Sequence, residues 1–173
     1  MNKKGDHIIL IGMSGAGKTT LGEALSISLN LPFIDTDEEI VKITSLSIPE
    51  IFRLEGETKF RLYESGVIRQ LVDFPKSVIA LGGGAPCYDN QIELLLEMGT
   101  VVYLDVSIDA LTKRLGQNTN ARPLYKKLSS NQIVEKTKIL MKQRTSFFCK
   151  ADFIVDGNTS SDDLVKKVIE KIH

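Results

Sequence analysis

The segment Gly12-Met13-Ser14-Gly15-Ala16-Gly17-Lys18-Thr19 fits the pattern G-x-x-x-x-G-K-[ST]. Ahead of it runs a β-branched apolar stretch, His7 to Ile11, and behind it Lys18 to Asn30 carries Leu21, Leu25 and Leu29 at helical spacing. Strand, glycine loop and helix in that order form a phosphate cradle. The glycines let backbone N–H groups turn inward, the helix N-terminus adds partial positive charge, and Lys18 can reach the β and γ phosphates of a nucleotide. Thr19 offers a hydroxyl to Mg2+. A chance glycine turn would not need both flanking elements. ATP contacts are therefore expected from Gly12, Ser14, Gly15, Ala16, Gly17, Lys18, Thr19 and Thr20.

Short buried-strand patterns recur at Pro32 to Ile34, Ser77 to Leu81, Val101 to Leu104 and Phe153 to Val155, with helical segments between them. Such alternation predicts a parallel sheet covered on both faces, an α/β fold of three layers, α/β/α, around five strands, of the P-loop NTPase type. Helix starts are expected at the capping box Ser47-Ile48-Pro49-Glu50, at Asp89, at Ser107 and at Ser161. Two stretches break the rhythm. Glu38 to Val72 is long and helical, as an inserted substrate module would be, and Gly116 to Ser129 is polar, as a mobile lid would be.

At 173 residues and 42% hydrophobic, the chain suits one domain spanning 1–173, with a substrate-binding insertion at about 37–64 and a lid at about 116–128. Lys plus Arg and Asp plus Glu balance at 22 each, so no overall field favours nucleic acid or an anionic membrane. The apolar runs are shorter than a membrane span, and a cytoplasmic protein is expected. Cys87 and Cys149 suit neither a disulfide scaffold nor a zinc site, and neither His7 nor His173 has partners at metal-ligand spacing.

Phe33-Ile34-Asp35-Thr36-Asp37 puts two carboxylates just past the second strand, where α/β folds bind ligands. In extended chain they would share a face. Asp35 is assigned to the metal beside Thr19, and Asp37 to the acceptor hydroxyl, which it would orient toward the γ-phosphorus. Both could instead simply begin the next helix as N-terminal acids. Farther on, Val78 to Leu81 runs into Gly82-Gly83-Gly84, which permits close backbone approach to a ligand. A flexible bend is the competing reading.

Phe52, the run Gly56-Glu57-Thr58-Lys59-Phe60-Arg61-Leu62-Tyr63-Glu64 and the triple glycine follow the loop and the paired aspartates in order. The chain resembles the shikimate kinase family, which has the same P-loop, DxD, G-E-x-x-F-R-x-x-E and triple-glycine motifs. That resemblance implies an ATP-dependent kinase placing the γ-phosphoryl group on a hydroxyl of shikimate, expected to be the 3-hydroxyl, in aromatic amino-acid biosynthesis. It implies that Asp37, Arg61 and Gly83 contact shikimate, with Gly82 and Gly84 beside it, that Phe52 and Phe60 line the pocket, and that Glu64 orients Arg61.

Arg122-Pro123-Leu124 resembles the family's lid, whose arginine covers the ATP phosphates. Arg144 falls where the family places a second arginine on the substrate carboxylate, and Arg114 where it often has an adenine-stacking one. A solvated loop arginine and a helix-end cation are the ordinary alternatives for Arg122 and Arg144. The chain departs from the family at Phe148, where many members have tyrosine, and at Asp156-Gly157-Asn158-Thr159, which is generic where the adenine loop would lie. The expected catalytic set is Asp37, Lys18 and Arg122, with ATP and Mg2+ required, shikimate as the small-molecule partner, and a monomer. The rival readings are a kinase of another hydroxy acid, such as gluconate, and a non-catalytic nucleotide sensor.

Overall fold

The computed structural model describes residues 5–117 and 122–172. Five strands, β1 (His7–Ile11), β2 (Phe33–Asp35), β3 (Val78–Ala80), β4 (Gly99–Asp105) and β5 (Phe153–Asp156), form one all-parallel sheet in the order β2-β3-β1-β4-β5. Every residue of β1 and β3 is buried. Successive strand side chains point to opposite faces, so both faces are covered, as the continuous apolar runs predict.

The cover is helical. Among the described residues these are α1 (Lys18–Leu29), α2 (Thr36–Thr44), α3 (Ile48–Leu54), α4 (Gly56–Gln70), α5 (Gln91–Met98), α6 (Ile108–Gln117), α7 (Ser130–Phe148) and α8 (Ser161–Ile172). The central strand β1 lies between β3 and β4, while the chain leaves it for the far edge at β2. Ligands bind such sheets beyond the carboxyl ends of the strands. There the loop after β1, the end of β2 and the glycines after β3 converge.

Local chemistry sets the boundaries. The Glu50 carboxylate accepts from the Ser47 backbone N–H at 2.8 Å and from its hydroxyl at 2.6 Å, closing the expected capping box at α3. Two expected starts move by one residue. At α8 it is the Ser160 hydroxyl that accepts from the Asp163 N–H, so Ser161 is already helical. At α5 both Asp89 and Asn90 adopt left-handed backbone, and Asn90 occupies the cap. The long insertion proves to be α2, α3 and α4, broken at Glu55 and at Gly56, whose φ is +83°.

The lid expected at 116–128 divides three ways. Gly116 and Gln117 finish α6, residues 118–121 lie outside the described residues, and Pro123–Tyr125 form a 3-10 turn packed against α3. That turn is not wholly polar, because Tyr125 is buried in the core. His7, to which sequence gave no role, is also buried. One ring nitrogen pairs with the Leu71 carbonyl at 3.0 Å, and Nδ1 accepts from the Ser77 N–H at 3.2 Å, tying β1 to the chain on either side of the β3 approach.

Candidate active site

A cleft of about 480 Å³ opens at the carboxyl edge of the sheet, within the usual range for small-ligand sites. One end is the glycine loop. Gly12, Gly15 and Gly17 have φ of +146°, +86° and +98°, backbone that L side chains rarely adopt, and these turns bring Ser14, Gly15, Gly17, Lys18, Thr19 and Thr20 to the wall. The Lys18 ammonium is folded back, donating to the Gly12 and Met13 carbonyls at 3.0 Å each. Burial pulls its pKa down from 10.5 to about 8, with the Asp37 charge opposing the fall.

Gly12 itself does not line the cleft. Ala16 faces a smaller adjoining recess shared with Thr20, Arg114, Gly157 and Thr159. Arg114 lines both and donates to the Gly15 and Ala16 carbonyls at 3.2 and 3.1 Å, which braces the loop from α6.

The two aspartates do not share an extended face. β2 ends at Asp35, whose carboxylate caps α2 by accepting the Asp37 N–H at 3.0 Å, so Asp37 sits in the first helical turn. Capping and site membership coexist, because the other Asp35 oxygen accepts from the Thr19 hydroxyl at 2.8 Å. Buried Thr36 fastens this corner to the glycines by accepting from the Gly82 N–H at 3.2 Å. Asp37 Oδ1 is buried with no hydrogen-bond partner among the described residues. Its pKa is raised, first by burial and then by the Asp35 charge, against the pull of Lys18, Arg61 and Arg122.

The far end belongs to α3 and α4. Phe52 and Phe60 pack with centroids 4.9 Å apart, and the Arg61 guanidinium lies 5.2 Å over the Phe60 ring. Arg61 Nη1 donates to Glu64 Oε2 at 2.7 Å and Nη2 to Glu57 Oε1 at 3.1 Å, while Nε has no partner among the described residues. Burial raises the Glu64 pKa despite Arg61 beside it. From α7, buried Arg144 donates to the Gly83 carbonyl at 3.1 Å.

Each glycine of the triplet is pressed by a different part of the site. A Cβ on Gly82 would meet Glu64 Oε1 at 2.5 Å and Asp37 Oδ1 at 3.1 Å, one on Gly83 the Ser14 backbone nitrogen at 2.7 Å, and one on Gly84 the Arg61 guanidinium from 2.6 Å. Close approach, rather than flexibility, is why three glycines stand here.

Arg122 Nη1 donates to the Ser14 hydroxyl, joining the segment after α6 to the glycine loop. Ile48, Leu81, Pro123, Leu124 and Tyr125 also line the cleft. Of these, Pro123 and Leu124 follow the lid arginine in sequence, whereas Tyr125 carried no signal of its own. Phe148 is a core residue, fully buried and stacked on Tyr103 at 5.0 Å, so the departure from tyrosine there lies outside the cleft. The Cys87 thiol is partly buried, and burial pushes its pKa up to about 11, which leaves it a poor nucleophile at neutral pH.

Among the described residues no group of three or more His, Cys, Asp or Glu could hold a metal. The hard oxygens of Thr19 and Asp35, adjacent to the phosphate loop, nevertheless suit Mg2+, which takes one or two protein oxygens and completes its shell with phosphate and water. No helix among the described residues is long and apolar enough to cross a membrane.

Comparison with known proteins agrees with this geometry. The family model described as shikimate kinase matches residues 14–173. A shikimate kinase of Aquifex aeolicus (strain VF5) is 35% identical over 163 residues, covering 94% of each chain. The solved shikimate kinase of Acinetobacter baumannii in complex with shikimate superposes with a TM-score of 0.91 at 34% identity, covering 97% of this chain and 93% of that one. A gluconokinase from Sinorhizobium meliloti 1021 reaches a TM-score of 0.59 at 16% identity over 98% of this chain and 93% of its own, a likeness of fold alone.

Proposed function

Because this chain belongs to the shikimate kinase family, we propose that it transfers the γ-phosphoryl group of ATP to a hydroxyl of shikimate, the 3-hydroxyl being the expected acceptor. The observation that carries this reading is Asp37 Oδ1, a buried carboxylate oxygen without a hydrogen-bond partner among the described residues. It interacts with Lys18 and Arg122 on the phosphate side and with Arg61 on the other.

The glycine loop and Lys18 bind the nucleotide phosphates. The ammonium now spent on the Gly12 and Met13 carbonyls turns to the β and γ oxygens. Arg114 and the recess lined by Gly157 and Thr159 take the base. Arg61 and Arg144 hold the acid's carboxylate between two guanidiniums, which suits a planar anion. Glu64 keeps Arg61 aimed, and Phe52 and Phe60 cover the ring. Gly82, Gly83 and Gly84 let the acid approach the main chain closely.

Asp37 accepts the hydrogen bond of the acceptor hydroxyl and points its oxygen at the γ-phosphorus for in-line transfer. Lys18 and Arg122 stabilise the charge on the transferring group, and no covalent phosphoenzyme is required. Thr19 and Asp35 would hold Mg2+, which neutralises phosphate charge when bound. The segment carrying Arg122 excludes water, so that ATP is not hydrolysed wastefully.

The test is a coupled ADP-release assay with MgATP and shikimate, gluconate, quinate or no acceptor, using Asp37→Ala as the blank. Turnover with shikimate that disappears in Asp37→Ala is the expected result. Turnover with gluconate instead, or nucleotide binding without any acceptor-dependent turnover, overturns it.

A further inference from the structure

Tyr125 is buried to within 1% of its surface and still forms part of the cleft wall. Its hydroxyl is among the few buried side-chain polar atoms without a hydrogen-bond partner among the described residues. A buried phenol normally finds a partner, since leaving the O–H unmade forfeits its lost hydration. Two of the other orphaned atoms, Asp37 Oδ1 and Arg61 Nε, belong to cleft-lining groups given ligand roles above.

The surroundings of the hydroxyl say which ligand group would complete it. Its oxygen lies within electrostatic range of the Arg122 and Arg144 guanidiniums. The Pro123–Tyr125 turn packs against α3, the helix that supplies Phe52 and Ile48 to the acid end of the cleft. Arg144 spends one N–H on Gly83 and keeps further donors for an anion. An anion drawn to Arg144 is thereby brought to the same cleft wall as a hydroxyl with no hydrogen-bond partner among the described residues.

We propose that Tyr125 is a specificity-determining residue whose hydroxyl donates a hydrogen bond to the carboxylate of the acid substrate held by Arg144. This rests on the kinase reading above. It adds a contact that depends on the negative charge of the acid and not on its ring hydroxyls, while the phenol ring serves the core independently. The hydroxyl is thus unsatisfied in the free protein and satisfied in the complex. That asymmetry favours binding over the empty state.

Tyr125→Phe tests it, since only the O–H is removed. The expected result is a KM for shikimate raised about tenfold, as for a lost hydrogen bond to a charged group, with kcat and the KM for ATP within about twofold of wild type. Thermal stability should be unchanged or higher, because a buried orphan is gone. With the carboxamide analogue of shikimate, whose carbonyl still accepts but carries no charge, the penalty of Tyr125→Phe should shrink to that of a neutral hydrogen bond, clearly below the penalty on shikimate. An unchanged KM for shikimate overturns the proposal. So does a fall in kcat alone, which would assign the hydroxyl to the phosphoryl group, or an equal penalty on the carboxamide. Absence of shikimate turnover in the wild type would instead remove the kinase reading itself.

Discussion

Arg61 and Glu64 form an ion pair of 2.7 Å one helical turn apart on α4, with the Glu64 side chain fully buried and the Arg61 side chain 6% exposed. Burial of this depth makes the pair costly to break from one side, because Arg61 is then left with only the longer bond to the half-exposed Glu57 carboxylate. Glu64→Ala should therefore lower stability by about 3–5 kcal/mol. Denaturant unfolding would measure it, and a loss as small as an exposed pair gives would show that water replaces the carboxylate.

Gly83 and Gly84 are neighbours, yet their alanine variants should fail differently. At Gly84 the new methyl meets the end of a side chain, the Arg61 guanidinium. Arg61 can swing aside, so Gly84→Ala should raise the KM for the acid while sparing ATP. At Gly83 the methyl meets the Ser14 backbone nitrogen at 2.7 Å, and the glycine loop cannot yield so easily. Gly83→Ala should cost about 1–3 kcal/mol of stability and weaken ATP as well. Steady-state kinetics on both substrates with a thermal melt would separate them, and identical profiles would contradict the clash geometry.

The triplet also marks how far sequence could reach. The loop from Gly12 to Thr19, the five strands and the capping box at Ser47 are local patterns, and they were legible because backbone turns and strand periods are written in adjacent residues. Asp35 was ambiguous between cap and ligand, and in the structure one carboxylate oxygen caps α2 while the other accepts from the Thr19 hydroxyl. What pattern could not give is contact across the chain. Gly83 against Ser14, Arg122 on Ser14, and the Tyr125 hydroxyl in the wall depend on how α3, α7 and the segment after α6 fold over the sheet. His7 likewise looked idle until its ring was found between Leu71 and Ser77.

In the role proposed for it, Asp37 would serve the chemistry at the expense of the fold. Burial and the Asp35 charge raise its pKa, so the folded state holds its proton more tightly than the unfolded chain, and its carboxylate weakens the fold at neutral pH. Asp37→Asn keeps the shape without the charge. It should lose about 10² or more in kcat and melt no lower than wild type. Melting curves and turnover on one preparation check both halves, and a clear drop in melting temperature would mean that Lys18 and Arg61 need the carboxylate to stay folded.

If Lys18 meets the phosphates as proposed, it should give the protein a proton-linked step in ATP binding. In the free protein its pKa lies near 8 against an ordinary 10.5, chiefly through burial. Between those values the folded protein carries a neutral amine while the unfolded chain carries ammonium. The unfolded state then binds more protons, and the cost of burying the charge, present below about pH 8, is relieved as pH rises through that window. ATP reverses the preference, because its phosphates favour ammonium at Lys18. Binding at pH 9 should take up close to one proton, and affinity should fall by up to about tenfold per pH unit above 8. Titration calorimetry in two buffers of different ionisation enthalpy reads the proton directly. Equal heats in both buffers at pH 9 would mean that Lys18 is already charged in the free enzyme, held by Asp37 despite its burial.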